Sequence, residues 1–230
     1  MSFRWGLIGY GDIAEKRVAD ALQLTGELHA VWGRDPGRTA GFAARHGIPV
    51  ASGSLEALLQ EKLDGIYVCT PTASHAGYAI AAAERGRHVL VEKPMASTVE
   101  DCERMIRAAA ASGVQLGVAY FRRAFPKMIR IRELIQDGVL GTPVWVNIAS
   151  HSWYAPAADD PKHWRVEKEP SGGAGALSDI GVHRLDLLDY WLPGSTLEYA
   201  AFSHLVHSYE VEDGSSLVLK LPNGAPVHAY

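Results

Sequence analysis

Short apolar runs alternate with amphipathic stretches through the first half of the chain. From Phe3 to about Tyr120, runs rich in β-branched and apolar residues predict strands at Trp5–Ile8, Leu28–Trp32, Gly65–Cys69, His88–Val91 and Gln115–Val118. The Ala-, Glu- and Arg-rich stretches between them place apolar residues at helical spacing and predict helices at about 12–24, 36–46, 54–61, 75–86 and 98–112. Strands that are apolar at nearly every position are buried on both faces, and parallel neighbours joined by right-handed helical crossovers achieve that burial. The pattern predicts an α/β fold built on a doubly wound parallel sheet.

The texture changes after Tyr120. A basic helix is predicted at about 125–137 and a strand around Val144–Ala149. A loop rich in Pro, Asp, Ser and Gly then runs from Tyr154 to Gly175, followed by a helix at about 177–192. Three strand candidates follow, Leu197–His207, Ser215–Leu221 and Pro226–Tyr230. The turn signals Glu212-Asp213-Gly214 and Pro222-Asn223-Gly224 separate them, which suggests an antiparallel sheet. The expected division is a domain over residues 1–121 and an α+β domain with a mostly antiparallel sheet over 122–230. The last strand reaches Tyr230, so an open sheet edge is expected there.

Charge narrows the partners. With 22 Lys+Arg against 26 Asp+Glu, the chain carries a formal charge of -4 and no basic run, so the counterion-releasing stripe of a nucleic-acid binder is missing. Hydrophobic residues at 47% and charged residues at 21% suit a folded core rather than a disordered chain. Cys69 and Cys102 form neither a CxxC pair nor a secreted disulfide framework, and no basic segment leads an apolar stretch at the start; a cytoplasmic location is expected. No apolar run is long enough to suggest a membrane partner.

The strongest chemical signal is Gly9-Tyr10-Gly11-Asp12-Ile13-Ala14, a G-x-G-x-x-G/A pattern directly after a strand and directly before a helix. In that context Gly9 allows the tight turn, Gly11 lets a pyrophosphate approach the main chain and Ala14 lets helix pack closely on strand. The free amides and positive dipole end of the helix would face the phosphates. A glycine-rich turn without ligand is the plain alternative. An NAD-preferring site places an acid at the end of the second strand, to bond the ribose 2′-hydroxyl. Here that strand ends Val31-Trp32-Gly33-Arg34-Asp35, with Arg38 one helical turn further. Guanidinium groups suit a 2′-phosphate, so NADP(H) is favoured over NAD(H). The alternative makes Arg34 and Arg38 a solvated face, with Asp35 either a helix cap or the missing ribose acid.

Glu92-Lys93-Pro94 follows the strand predicted at His88–Val91, on the edge where open α/β sheets bind ligands. The Lys93 ammonium could stabilise charge developing on a substrate oxygen, with Pro94 restricting the backbone beside it. Asp179 and His183 stand four residues apart at a predicted helix start, a spacing that puts both on one face. An imidazole suits moving a hydroxyl proton and a nearby carboxylate can orient its charged form. Taken singly, Lys93 reads as a surface lysine, Asp179 as a first-turn acid and His183 as a satisfied core histidine. Gly172, Gly173 and Gly175 read as a pocket wall. No G-x-S-x-G elbow occurs, nor H-E-x-x-H or a tight histidine cluster. His204 and His207 would face opposite sides of a strand, so no metal is assigned.

In order, Gly9-x-Gly11-x-x-Ala14, Thr70-Pro71 with His75, Glu92-Lys93-Pro94, Arg123 with Phe125-Pro126, Trp164-Arg165, Gly172-Gly173 and Asp179-x-Gly181-x-His183 resemble the glucose-fructose oxidoreductase/inositol dehydrogenase (Gfo/Idh/MocA) family. The likeness runs from about residue 4 to 195, and Arg34 and Arg38 look most like its NADP-dependent branch. The resemblance implies a Rossmann domain followed by a domain with a large, mostly antiparallel sheet. It implies Lys93 and His183 as the catalytic pair with Asp179 as partner. Cofactor contacts are implied at Gly9, Gly11, Asp12, Ile13, Ala14, Gly33, Arg34, Arg38, Thr70, Pro71, His75, Glu92 and Lys93. A substrate pocket is implied around Arg123, Tyr154, Trp164, Arg165 and His183. Family members continue for about a hundred residues more, so the second domain is expected to be incomplete. The expected activity is NADP(H)-dependent hydride transfer at a CH–OH or C=O carbon of a sugar, polyol or cyclic diol, in a homo-oligomer formed through the C-terminal sheet. An NAD-dependent glycosidase and a non-catalytic dinucleotide binder or inactive fragment remain the alternatives.

Overall fold

The computed structural model describes residues 2–173 and 175–230. The chain divides after Ala119 into two compact units. The first contains β1 (Arg4–Ile8), a π-turn (Ala14–Val18) running into α1 (Ala19–Thr25), β2 (Glu27–Trp32), α2 (Pro36–His46), β3 (Val50–Ala51), α3 (Leu55–Gln60), β4 (Gly65–Val68), α4 (His75–Glu84), β5 (His88–Val91), α5 (Val99–Ala111) and β6 (Leu116–Val118). The strands form one parallel sheet in the order β3-β2-β1-β4-β5-β6.

Successive strand residues feed two separate apolar layers, as the period-2 geometry of a strand requires. Leu7, Val31, Tyr67 and Cys69 pack with Val18, Leu22 and Phe42 from α1, α2 and the π-turn. Ile8, Ala30, Ile66, Val68, Val89 and Val91 pack on the other face with Leu58, Ala79, Ala83 and Met105 from α3, α4 and α5. This sorting explains the near-continuous apolar strands, since both neighbours of each residue need a greasy layer. Helix starts are fixed locally: Asp35, Ser54 and Thr98 accept from Arg38 N (2.9 Å), Ala57 N (3.1 Å) and Asp101 N (3.1 Å), each such cap being worth about 1 kcal/mol. The two-residue strand β3 escaped the hydrophobic pattern. It is too short to show a period, and its pairing with Ala30 and Val31 defines it.

The second unit holds a 3₁₀ turn (Phe121–Ala124), α6 (Pro126–Gln136), β7 (Val146–Ile148), a 3₁₀ turn (His163–Val166), α7 (Lys168–Ser171), a second π-turn (Leu177–Gly181) continuing as α8 (Val182–Trp191), β8 (Thr196–Ser203), β9 (Gly214–Lys220) and β10 (Pro226–Ala229). Its sheet runs β7-β10-β9-β8. Leu188 of α8 packs on Leu217, Leu219, Val227 and Ala229 of the sheet, with Val146 and Ile148 of β7 at the margin.

Two expectations are corrected here. The strand near the chain end is internal: β10 pairs antiparallel with β9 and parallel with β7, so among the described residues the open edges are β7 and β8, while two of the three pairings are antiparallel, as expected. The run Leu197–His207 is not one strand, because β8 stops at Ser203. His204 and His207 therefore lie in a loop, and strand alternation does not govern them. The cause is Asp213, whose carboxylate accepts from the amides of Leu205 (3.1 Å), Val206 (2.6 Å) and His207 (2.9 Å) and pulls the chain out of the ladder.

Those amide bonds hold the Asp213 carboxyl down at about 2, from an ordinary 3.8. A carboxyl depressed in the folded state contributes stability above its unfolded pKa and loses it as pH falls through the folded one. Asp213→Asn should therefore melt lower than the parent at pH 6, and the gap should close between about pH 4 and pH 2. Thermal unfolding followed by circular dichroism across that range is the measurement.

Candidate cofactor and substrate sites

In the first unit the strand register aligns the residues that lie just beyond each strand. Ile8 pairs with Trp32 on one side and Val68 on the other, and Val68 pairs with Val91. The next residues continue the ladder: Gly9 N donates to Trp32 O (2.8 Å), Cys69 N to Ile8 O (2.8 Å) and Glu92 N to Val68 O (2.9 Å). Gly9, Gly33, Cys69-Thr70 and Glu92-Lys93 thus form a row along the carboxyl edge. The strand order reverses there between β1 and β4, where open α/β sheets leave a crevice.

The two motif glycines differ in kind. Gly9 has φ +97°, and a Cβ there would run into the Cys69 carbonyl, so the turn itself demands glycine. A Cβ on Gly11 would meet nothing within 4 Å. The protein does not need that glycine; the space beside it is left open at the start of the helical segment 12–25. This is the cradle a pyrophosphate requires. Ala14 is fully buried against the sheet and Ile13 packs on the same core, while Asp12 pairs with Lys16 at 2.6 Å.

Asp35 takes the cap reading, since its Oδ1 is the N-cap acceptor of α2. Gly33 is covered by the ring of Tyr10, Arg34 and Arg38 are exposed, and the Arg38 guanidinium lies 5.0 Å from the centre of the Tyr10 ring. Tyr10 went unnoticed in the sequence because it occupies an unspecified letter of the motif.

At the end of β5, Glu92 accepts from the Tyr67 hydroxyl through Oε1 (2.8 Å) and from Lys93 N through Oε2 (3.2 Å). Burial, reinforced by Glu92, pushes the Tyr67 phenol far up, so it stays a donor and fixes the carboxylate. The Lys93–Pro94 peptide is cis. His75 is fully buried, with Nδ1 2.9 Å from Pro94 O and Nε2 2.8 Å from Thr70 O. It braces the Thr70-Pro71 and Lys93-Pro94 loops from behind rather than facing the crevice. The Thr70 hydroxyl accepts from Ser74 Oγ (2.8 Å).

The second unit contains a cleft of about 340 Å³ lined by Tyr154, Arg165, Asp179, Arg184, His207 and Tyr209 among others. Tyr154, Arg165 and Asp179 are brought together there, with Arg165 Nη1 3.1 Å from Asp179 Oδ2. The Tyr154 hydroxyl donates to Lys162 O (3.1 Å), and the Tyr209 hydroxyl bonds the Tyr154 carbonyl. Trp153, His207 and Tyr209 make a run of ring contacts at 4.8 and 4.5 Å along the wall. Trp164 lies outside the lining, under the Arg165 guanidinium at 5.6 Å. His183 is buried one turn beyond Asp179, edge-on to Tyr120 (6.5 Å) and Phe121 (5.7 Å). Arg123 is also outside the cleft lining. Its Nη2 sits 2.6 Å from Asp186 and 3.5 Å from Asp189, pairs that raise its pKa and tie the 3₁₀ turn to α8.

Gly175, before α8, serves Glu212, an acid whose sequence context is a turn signal. Glu212 is buried and its carboxylate accepts from Gly175 N (2.7 Å) and Leu177 N (3.0 Å), while a Cβ on Gly175 would strike the Glu212 carbonyl. Gly172 and Gly173 take φ +81° and +85°. Among the described residues no group of three or more His, Cys, Asp or Glu could hold a metal ion, and no helix is long and apolar enough to cross a membrane.

A parallel six-stranded sheet with an amide-lined glycine turn at its reversal point defines a dinucleotide-binding Rossmann unit. Residues 3–120 match the family described as "Oxidoreductase family, NAD-binding Rossmann fold", and residues 128–230 match the "GFO/IDH/MocA C-terminal domain". The chain belongs to the Gfo/Idh/MocA family. It is similar to 1,5-anhydro-D-fructose reductase of Ensifer adhaerens, with 35% identity over 92% of this chain and 63% of the relative. Among solved structures it resembles the WlbA dehydrogenase from Bordetella pertussis in complex with NADH and UDP-GlcNAcA (TM-score 0.88, 30% identity, 99% of this chain and 66% of that one). It also resembles KijD10, a 3-ketoreductase from Actinomadura kijaniata in complex with NADP (TM-score 0.88, 27% identity, 100% and 69%). The chain spans 60 to 65% of the length of three curated relatives it matches.

The contrast between the glycines is testable. Gly9→Ala should lower stability by about 1–3 kcal/mol, from the strained φ and the carbonyl clash. Gly11→Ala should change it by less than about 0.5 kcal/mol while weakening dinucleotide binding. Urea unfolding paired with a fluorescence titration separates the two; equal effects on stability would contradict the assignment.

Proposed function

We propose that the protein is an NADP(H)-dependent oxidoreductase acting at a CH–OH or C=O carbon of a sugar or a related polyol or cyclic diol. The observation that carries this reading is the row at the carboxyl edge of the first sheet, where the open space beside Gly11 is followed, two strands along, by Glu92 and Lys93. Gly9, Gly11, Asp12, Ile13 and Ala14 would hold the pyrophosphate, Arg34 and Arg38 the 2′-phosphate, and Thr70, Pro71 and Glu92 the nicotinamide end. Bound cofactor would supply the hydride chemistry. In the oxidation direction His183 takes the hydroxyl proton and Lys93 stabilises the emerging alkoxide; reduction reverses both roles. Asp179, paired with Arg165, helps fix the polar wall of the cleft. Aromatic rings alternating with charged groups in that cleft suit a ligand with apolar faces and many hydroxyls. The sugar chemistry in the names of the relatives, from an anhydrofructose reductase to a dehydrogenase bound to UDP-GlcNAcA, supports the same substrate class.

The reading extends to assembly. Tyr199, Leu197 and Phe202 of the edge strand β8 are each more than half exposed, and we assign the second sheet as the surface of a homo-oligomer.

Lys93→Met and His183→Ala should each lower turnover by about 100-fold or more, with NADPH affinity within about two-fold of the parent in His183→Ala. Steady-state assays over a panel of sugars and diols, with binding followed by fluorescence, check this. Near-normal turnover in either variant would remove that residue from the mechanism.

A further inference from the structure

We infer that Tyr10 is the residue that sets the preference for a 2′-phosphorylated dinucleotide, by barring an acid from position 33 and seating Arg38. The inference rests on the proposed cofactor reading and deepens it. Position 33 follows β2 on the carboxyl edge, where an acidic side chain would reach the ribose 2′-hydroxyl of NAD. A Cβ at Gly33 would overlap Cε1, Cδ1 and Cζ of the Tyr10 ring, all under 3 Å away. The ring cannot readily swing clear, because its hydroxyl accepts from Asp35 N (3.0 Å) and lies 3.3 Å from Asp35 O. Any side chain at 33 must displace a phenol anchored at its far end.

The neighbouring carboxylate, Asp35, has one oxygen engaged by the main chain. Asp35 caps α2 through Oδ1, which accepts from the amide of Arg38. The cap and the Tyr10 anchor both use Asp35, the cap through its side chain and the anchor through its main chain. On the outer side of the ring, the Arg38 guanidinium stacks 5.0 Å from its centre, within cation–π range. Arg34 is exposed beside it, and neither arginine has a carboxylate partner among the described residues. Two exposed guanidinium groups beside a position closed to any side chain, with the one neighbouring carboxylate, Asp35, turned to the Arg38 amide, match a phosphate better than a bare hydroxyl diol. Tyr10 is thus a positioning residue, acting through Gly33 and Arg38.

The test compares binding of 2′,5′-ADP and ADP, and of NADPH and NADH, by calorimetry to the full chain and to Tyr10→Phe, Tyr10→Ser, Gly33→Asp and the Tyr10→Ser/Gly33→Asp pair. The parent should favour the 2′-phosphorylated ligands, and Tyr10→Phe, which keeps the ring, should hold that ratio within about two-fold. Tyr10→Ser should reduce the ratio by about ten-fold, as expected when a stacked cation is released. Gly33→Asp alone should lower the melting temperature, the added Tyr10→Ser should restore it, and the pair should favour NADH. A Tyr10→Ser variant with the parental ratio, or a Gly33→Asp variant as stable as the parent, overturns the inference. A parent that binds both ligand sets equally overturns it as well and leaves the oxidoreductase reading standing. A parent that binds neither set overturns both.

Discussion

The lateral register of the parallel strands is the constraint that organises the cofactor half of the protein. Because side chains alternate with a period of two, a slip of one residue in any strand would send its apolar set to the wrong layer. Leu7 and Ile8, Ala30 and Val31, and Tyr67 and Val68 each divide between the two layers, so the slip is blocked in β1, β2 and β4. The same pairing fixes the ends. With Ile8, Trp32, Val68 and Val91 abreast, the next residues emerge together, and Gly9, Gly33 and Glu92 reach one edge. The core therefore determines where the chemistry sits, and the loops need only supply the right atoms.

The second unit uses carboxylates that gather several amides where the first uses strand register. Glu212 satisfies two amides at the entrance of the segment that carries Asp179, and Asp213 satisfies three amides of the loop that carries His207. Two adjacent residues thus hold two segments of the wall of one cleft. The Gly175 amide is buried and would be expensive without its Glu212 acceptor, whereas the Asp213 bonds to exposed loop amides act mainly by fixing the loop's path.

The strands and helices of the first unit were legible because burial on both faces writes an unmistakable apolar run, and Gly9 because a positive φ admits few other residues. The family was legible because an ordered set of short motifs is far more specific than any one. What could not be read were long-range hydrogen bonds. Nothing local to Asp213 announces that it will accept from residues six to eight positions earlier, so Leu197–His207 looked like one strand. Nor does the sequence show that β10 inserts between β9 and β7, since turn signals suggest neighbours along the chain but not the parallel partner on the far side. Arg123 and His75 illustrate the same limit at the level of sites. Both stand in recognisable motifs, yet Asp186, which pairs with Arg123, and the Pro94 carbonyl, which bonds His75, lie elsewhere in the chain.

The unspecified letters of a phosphate-binding motif are where individual proteins differ, and here the physical reason is visible. The glycines answer to backbone demands that every dinucleotide imposes, one for the turn and one for the approach of the pyrophosphate. Tyr10 stands between them with its side chain directed along the sheet edge to the end of the neighbouring strand, where it contacts Gly33 and Asp35. A residue placed there is close to the next strand's exit and remote from the turn's own geometry, so it can change without damaging the fold and still alter which groups surround position 33. The glycine at 33 and the tyrosine at 10 are therefore one feature: each makes sense only with the other, and their separation of 23 positions hides that dependence from any local reading of the chain.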